Sequence, residues 1–247
     1  MPPLLALWAV PRSASTAFER MVAERGDLVV VSEPFSAAYY DGPEARSERF
    51  GCSAPEATFS AVRSELLRAA RERPTFVKDM AYQALPAVDA TLLDGCRHTF
   101  LVRDPAWSVP SLARGWPDFT AEEVGFDAVE RLVARVEDAG HEAVVLDSDD
   151  VRRRPEAVLQ AWCERVGLAF RPEALAWEPG MTDGWERWQD WHGSTASSAG
   201  FRPPDPEPPT VDDERVRRAI EAARPTYEAL RARRLVIDDI APPTPPS

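Results

Sequence analysis

An apolar run, Leu4 to Val10, ends at Pro11, and Arg12-Ser13-Ala14-Ser15-Thr16 then opens a helical pattern. Small and hydroxylated residues there, with Ala17 behind them, let several backbone N–H groups converge on one point. The helix N-terminus adds partial positive charge. Arg12 adds a planar cationic fork. Together they make an anion cradle, distinct from a Walker A loop because GxxxxGK[ST] is absent. An ordinary strand-to-helix turn with Ser or Thr as N-cap would use the same residues. Arg103 ends a second apolar run and Ser111 lies eight residues on. That pair could hold another anionic group, or Arg103 could be tied up in an ion pair with Asp104.

Global charge opposes broad anionic ligands. The chain has 247 residues, 41 Asp plus Glu, 29 Lys plus Arg and a net charge of −12. This argues against a nucleic-acid or anionic-membrane binder, because a broad polyanion would be repelled. A small phosphorylated molecule in a local pocket is not excluded. Lys78 is the single lysine, so 28 of the 29 basic residues are arginines. Codon bias accounts for the arginine excess but not for the one lysine. Cys52, Cys96 and Cys163 are odd in number and far apart. They read as reduced thiols of a cytoplasmic protein, with neither a disulfide framework nor a zinc site expected. The N-terminal apolar run is too short for a signal peptide, so none is expected, and no run approaches the ~20 apolar residues of a membrane span.

The elements that must position these residues follow from periodicity. Buried strands are expected at 4–10, 28–32, 75–80, 98–104 and 142–150. Helices are expected at 17–26, 57–73, 106–114, 121–139 and 155–167, with a short one between the third and fourth strands. Gly26 is a C-cap and Pro155 a helix start. Short apolar strands alternating with helices predict a single three-layer α/β domain with a central, mainly parallel sheet. Its sites lie past the carboxyl ends of the strands. Residues 36–55 read as an irregular loop. Residues 172–202 hold four of the eight tryptophans and read as a Trp-rich cap over a pocket, half of it core packing. A Pro-rich spacer precedes a terminal helix over 211–235, interrupted at Pro225, and residues 241–247 read as a disordered tail. The acidic Asp147 to Asp150 run reads as a helix N-cap, and Arg152-Arg153-Arg154 as a solvated helix start.

Taken together, PRSAST (11–16) and RDPAWSVPS (103–111) resemble the two cofactor elements of the PAPS-dependent sulfotransferases. The resemblance extends to a bacterial sulfotransferase-like group through LWA, STAFER, EPF, KDMAY, FLVRDP, DSDD and the WH, ST and GF pairs, from Leu7 to about Phe201. It implies a P-loop-like fold. It also implies that Arg12 and the segment Ser13 to Ala17 bind the 5′-phosphosulfate, and that Arg103 and Ser111 bind the 3′-phosphate. Lys78 matches the lysine of a K-x-H motif and would sit beside the transferring group. PAPS, leaving as PAP, would be the only cofactor, with no metal. Sulfuryl transfer needs alignment and cations at the leaving oxygen.

The chain departs from the pattern where relatives carry histidine. Met80, Ser32 and Gln83 occupy those places. Glu33, after the second strand, is then the expected base, as a glutamate there is proposed to be in heparan and trehalose sulfotransferases. His192 and Asp79 are further candidates. Ala14 replaces a glycine of the anion loop. The acceptor would be a small molecule with a hydroxyl or amine. Sulfate elimination from an already sulfated molecule, or a non-catalytic role, stays open at this level, as do homo- and hetero-oligomers.

Overall fold

The structure is a computed structural model, and it describes residues 4–182, 184, 185 and 188–237. The tail at 241–247 lies outside the described residues. Five strands form one parallel sheet: β1 (Leu4–Ala9), β2 (Val29–Ser32), β3 (Thr75–Met80), β4 (Cys96–Val102) and β5 (Ala143–Asp147). Their order is β2-β3-β1-β4-β5. Every residue of β1 and of β3 is buried, so both faces of the sheet centre are covered. That explains why β1 reads as an unbroken apolar run, while β3 carries the buried Lys78 and Asp79 among its apolar residues.

Helices make the crossovers: α1 (Ser15–Glu24), α2 (Phe35–Tyr40), α3 (Phe59–Glu72), α4 (Ala81–Ala84), α5 (Ala90–Gly95), α6 (Pro105–Gly115), α7 (Ala121–Val124), α8 (Phe126–Asp138), α9 (Ser148–Arg153) and α10 (Pro155–Val166). Then come α11 (Gln189–Ala196) in the cap and the terminal α12 (Glu214–Ala232). On one face of the sheet Phe18 of α1 packs its ring edge-on against Trp162 of α10, with centroids 4.8 Å apart. Among the described residues no helix is long and apolar enough to cross a membrane.

Several boundaries differ from expectation, each for a local reason. The strand expected to run to residue 150 stops at Asp147, whose side chain accepts from the Asp149 and Asp150 N–H groups and starts α9. The helix expected over 121–139 is split at Gly125, which adopts φ +87. A Cβ there would lie 2.9 Å from Pro11 Cδ, so only glycine lets this turn approach the β1 loop. Part of the loop expected at 36–55 is helical, as α2. Pro225 lies inside a continuous α12 and does not interrupt it.

The chain crosses from one side of β1 to the other between β3 and β4. This creates a topological switch point, and a crevice opens there beyond the strand ends.

Candidate active site

The crevice is a cleft of about 180 Å³. Its walls come from the loops after β1, β2, β3 and β4, from α9 and from the cap. β1 divides its rim. Glu33 and Gln83 follow the strands on one side, and Arg103 and Arg152 those on the other.

The β1 loop enters α1 through Ala14, which has φ +64, and no side chain caps the helix. Its first N–H groups therefore face the cleft without a side-chain acceptor, as an anion site requires. Ala14, Ser15, Thr16 and Ala17 all line the cleft. Ser13 does not: its Oγ donates to the Val10 carbonyl oxygen at 2.8 Å and braces the loop from within. Arg12 also has a positive φ, +63, as does Glu33, at +45. The three non-glycine residues in this region of conformational space, among the described residues, all belong to the cleft. Such strain concentrates where geometry serves function.

Arg12 Nε donates to Ser111 Oγ at 2.9 Å, tying together elements 99 residues apart. The same guanidinium donates to the Trp191 carbonyl oxygen at 3.1 Å. Arg103 donates to the Arg12 carbonyl oxygen at 2.9 Å, while its Nε is buried without a partner among the described residues. Ser111 reaches the site through Arg12 and is not itself on the cleft wall.

Arg152 corrects the expectation of a solvated helix start. It lines the cleft, with its side chain 12% exposed. Its Nε and Nη2 donate to the carbonyl oxygens of Arg202 and Pro203, which aim the guanidinium. Among the described residues neither Arg12 nor Arg103 has a carboxylate partner. Burial, and then Arg114, lowers the Arg12 pKa. Burial, helped by Arg152, lowers that of Arg103 to about 10. Cations held this way favour an incoming anion.

Across the cleft, Lys78 lies within β3 and is wholly buried. Its Nζ is 2.5 Å from Glu33 Oε1 and 3.1 Å from Glu19 Oε2. Burial would lower the Lys78 pKa, but Glu19 and Glu33 together raise it above the ordinary value, so the amine is charged. Lys78 is beneath the cleft wall and Glu33 is on it. Glu19 also accepts from Ser32 Oγ at 3.0 Å and from Trp185 Nε1 at 2.7 Å. Asp79 is buried, with its two oxygens accepting from the Phe35 and Met80 N–H groups. It is structural in this geometry. His192 is 2% exposed, lines the cleft and lies with its ring tilted against Trp185, centroids 4.9 Å apart. Burial, and then Lys78 and Arg12, lowers its pKa to about 3, so the imidazole is neutral.

Of the four cap tryptophans, Trp177 and Trp185 pack into the body, while Trp188 and Trp191 line the cleft with Trp116. Sequence reasoning missed Glu19 and Arg152. Glu19 could have been found as a charged residue on the buried face of α1, between Phe18 and Val22. Arg152 obeys the same strand-end rule that singled out Arg12 and Arg103.

This doubly covered parallel sheet has at its switch point an uncapped helix and two arginines, Arg12 and Arg103, without a carboxylate partner among the described residues. The chain belongs to the sulfotransferase domain family, whose model matches residues 4–234. Two Arabidopsis thaliana proteins, branched-chain-amino-acid aminotransferase-like proteins 2 and 1, are 27% and 26% identical over 82% and 94% of this chain. The chain spans only 37% and 42% of their lengths. The sulfotransferase domain of the Synechococcus PCC 7002 olefin synthase is similar in fold. It has a TM-score of 0.55 and 17% identity over 90% of this chain and 94% of that one.

Proposed function

We propose that the chain transfers the sulfuryl group of PAPS to a hydroxyl or amine of a small molecule. The observation that carries this reading is the set of three guanidinium groups, Arg12, Arg103 and Arg152, facing a cleft they share with an uncapped helix N-terminus and Glu33. A bis-phosphorylated nucleotide has two separate anionic ends, and the rim offers two cationic stations. Arg12 and the N–H groups of Ala14 to Thr16 would hold the phosphosulfate, while the Ala17 N–H donates to the Ala14 carbonyl oxygen. Arg103 and Arg152 would hold the 3′-phosphate, with Ser111 keeping Arg12 in line.

In the transfer, the acceptor oxygen or nitrogen forms a bond to sulfur as the bond from sulfur to the phosphate oxygen breaks. PAP departs with that electron pair. The acceptor's proton passes to Glu33, which is on the cleft wall and held by Lys78. Arg12 stabilises the charge developing on the leaving oxygen. Neutral His192 lies on the same wall and can orient the acceptor.

Calorimetric titration with PAP tests the cofactor half of this reading, and PAP release from PAPS with an acceptor panel tests the transfer half. Binding that is lost in Arg12→Ala supports it. No PAP binding, or binding indifferent to Arg12→Ala, refutes it.

A further inference from the structure

Gln83 is 1% exposed and lines the cleft. Its Nε2 donates to the Tyr82 hydroxyl at 3.2 Å, and that hydroxyl lies 2.8 Å from the Tyr40 hydroxyl. Its Oε1 is buried and has no hydrogen-bond partner among the described residues. An unpaired buried amide oxygen is costly, and each such group calls for an explanation.

Its surroundings indicate what would pair with it. Gln83 follows β3, on the Glu33 side of the rim, away from the Arg103 and Arg152 side. The Tyr40 ring behind it packs on Trp116 and Trp188, at 5.9 and 5.8 Å. Trp191 meets Trp116 at 4.9 Å. Rings set edge to face in this way give an apolar wall beside the Gln83 amide oxygen, with Nδ1 of His192, unpartnered among the described residues, elsewhere on the cleft.

Resting on the proposed sulfuryl transfer, we infer that Gln83 is a specificity residue: it accepts a hydrogen bond from a second O–H or N–H of the acceptor, which carries an apolar body against Trp116 and Trp188. The preferred acceptor class is therefore a small, largely apolar molecule with two hydrogen-bonding groups. One is the nucleophile facing Glu33 and the other pairs with Gln83 Oε1. An acceptor lacking the second donor leaves that oxygen desolvated and unpaired, and is rejected.

The test uses the three dihydroxybenzene isomers, each against the methoxyphenol made by methylating one hydroxyl. Both partners keep the ring and a nucleophilic oxygen, but only one keeps the second donor. With PAPS as donor, at least one dihydroxy isomer is expected to exceed its methoxy partner by about tenfold or more in kcat/KM. Gln83→Met, of similar length, brings that ratio close to one. Ratios near one in the wild type, a ratio that survives Gln83→Met, or no turnover of any probe by protein that binds PAP would each overturn the inference. Failure to bind PAP would instead overturn the transfer reading beneath it.

Discussion

Glu33 and Lys78 hold each other at two levels. The carboxylate meets the ammonium at 2.5 Å, and the Glu33 N–H donates to the Lys78 carbonyl oxygen at 2.7 Å. The backbone bond turns the chain at the end of β2 into its positive-φ geometry. The side-chain pair then fixes where the carboxylate points. Glu19 completes the group, so one buried cation serves two buried carboxylates.

Removing that cation strands both carboxylates. Lys78→Met is expected to cost about 3–5 kcal/mol of stability, read by urea unfolding. Lys78→Arg keeps the charge but not the compact shape, and is expected to lower PAPS turnover more than it lowers stability. The raised Lys78 pKa sets the pH dependence. Its contribution is complete below about pH 10.4, the ordinary lysine value, and is lost as pH rises through the higher folded value.

The arginines are expected to divide the cofactor between them. Arg152→Met weakens PAP binding by about tenfold or more, as removal of a charged hydrogen-bond donor does. Its effect should be much smaller for a nucleotide without a 3′-phosphate, whereas Arg12→Ala weakens both alike. Calorimetry with PAP and with adenosine 5′-phosphosulfate separates the two. An Arg152 effect equal for both ligands contradicts the assignment.

Two histidines are buried uncharged: His192, with its pKa lowered to about 3, and His98, lowered to about 4, in both cases first by burial. Unfolding frees them to take protons near pH 6.5, so the unfolded state binds more protons in acid. Stability is therefore full above about pH 6.5 and falls with pH towards 4, by up to about 1.4 kcal/mol per pH unit for each histidine. Denaturant melts from pH 8 to 4 measure this slope, and His98→Gln is expected to reduce it.

Ala14 occupies a left-handed conformation that suits glycine. Ala14→Gly is expected to raise stability by up to about 1 kcal/mol, the relieved strain exceeding the added freedom of the unfolded chain. Thermal unfolding of the two proteins checks it, and a lower melting temperature for Ala14→Gly would contradict the strain argument.

Much of this was legible in the residues. The strands were readable because burial on both faces leaves short apolar-rich runs, unbroken in β1. The strand-end rule then located Arg12, Glu33 and Arg103. What escaped depends on long-range packing. Glu19 has its role only because β3 brings Lys78 against α1, 59 positions away by number. Arg152 looked solvated because its neighbours Arg153 and Arg154 are charged, and only the Arg202 and Pro203 carbonyls turn it inward. The break at Gly125 comes from its contact with Pro11, a neighbour in space and not in sequence.

The contrast between a −12 chain and the cationic rim of Arg12, Arg103 and Arg152 also has a kinetic side. An anionic nucleotide must diffuse through a repulsive far field before it meets the cationic rim. Added salt screens both. Encounter should then speed up with ionic strength while the bound complex dissociates faster, so the association and dissociation rates rise together and the equilibrium constant alone conceals the opposition.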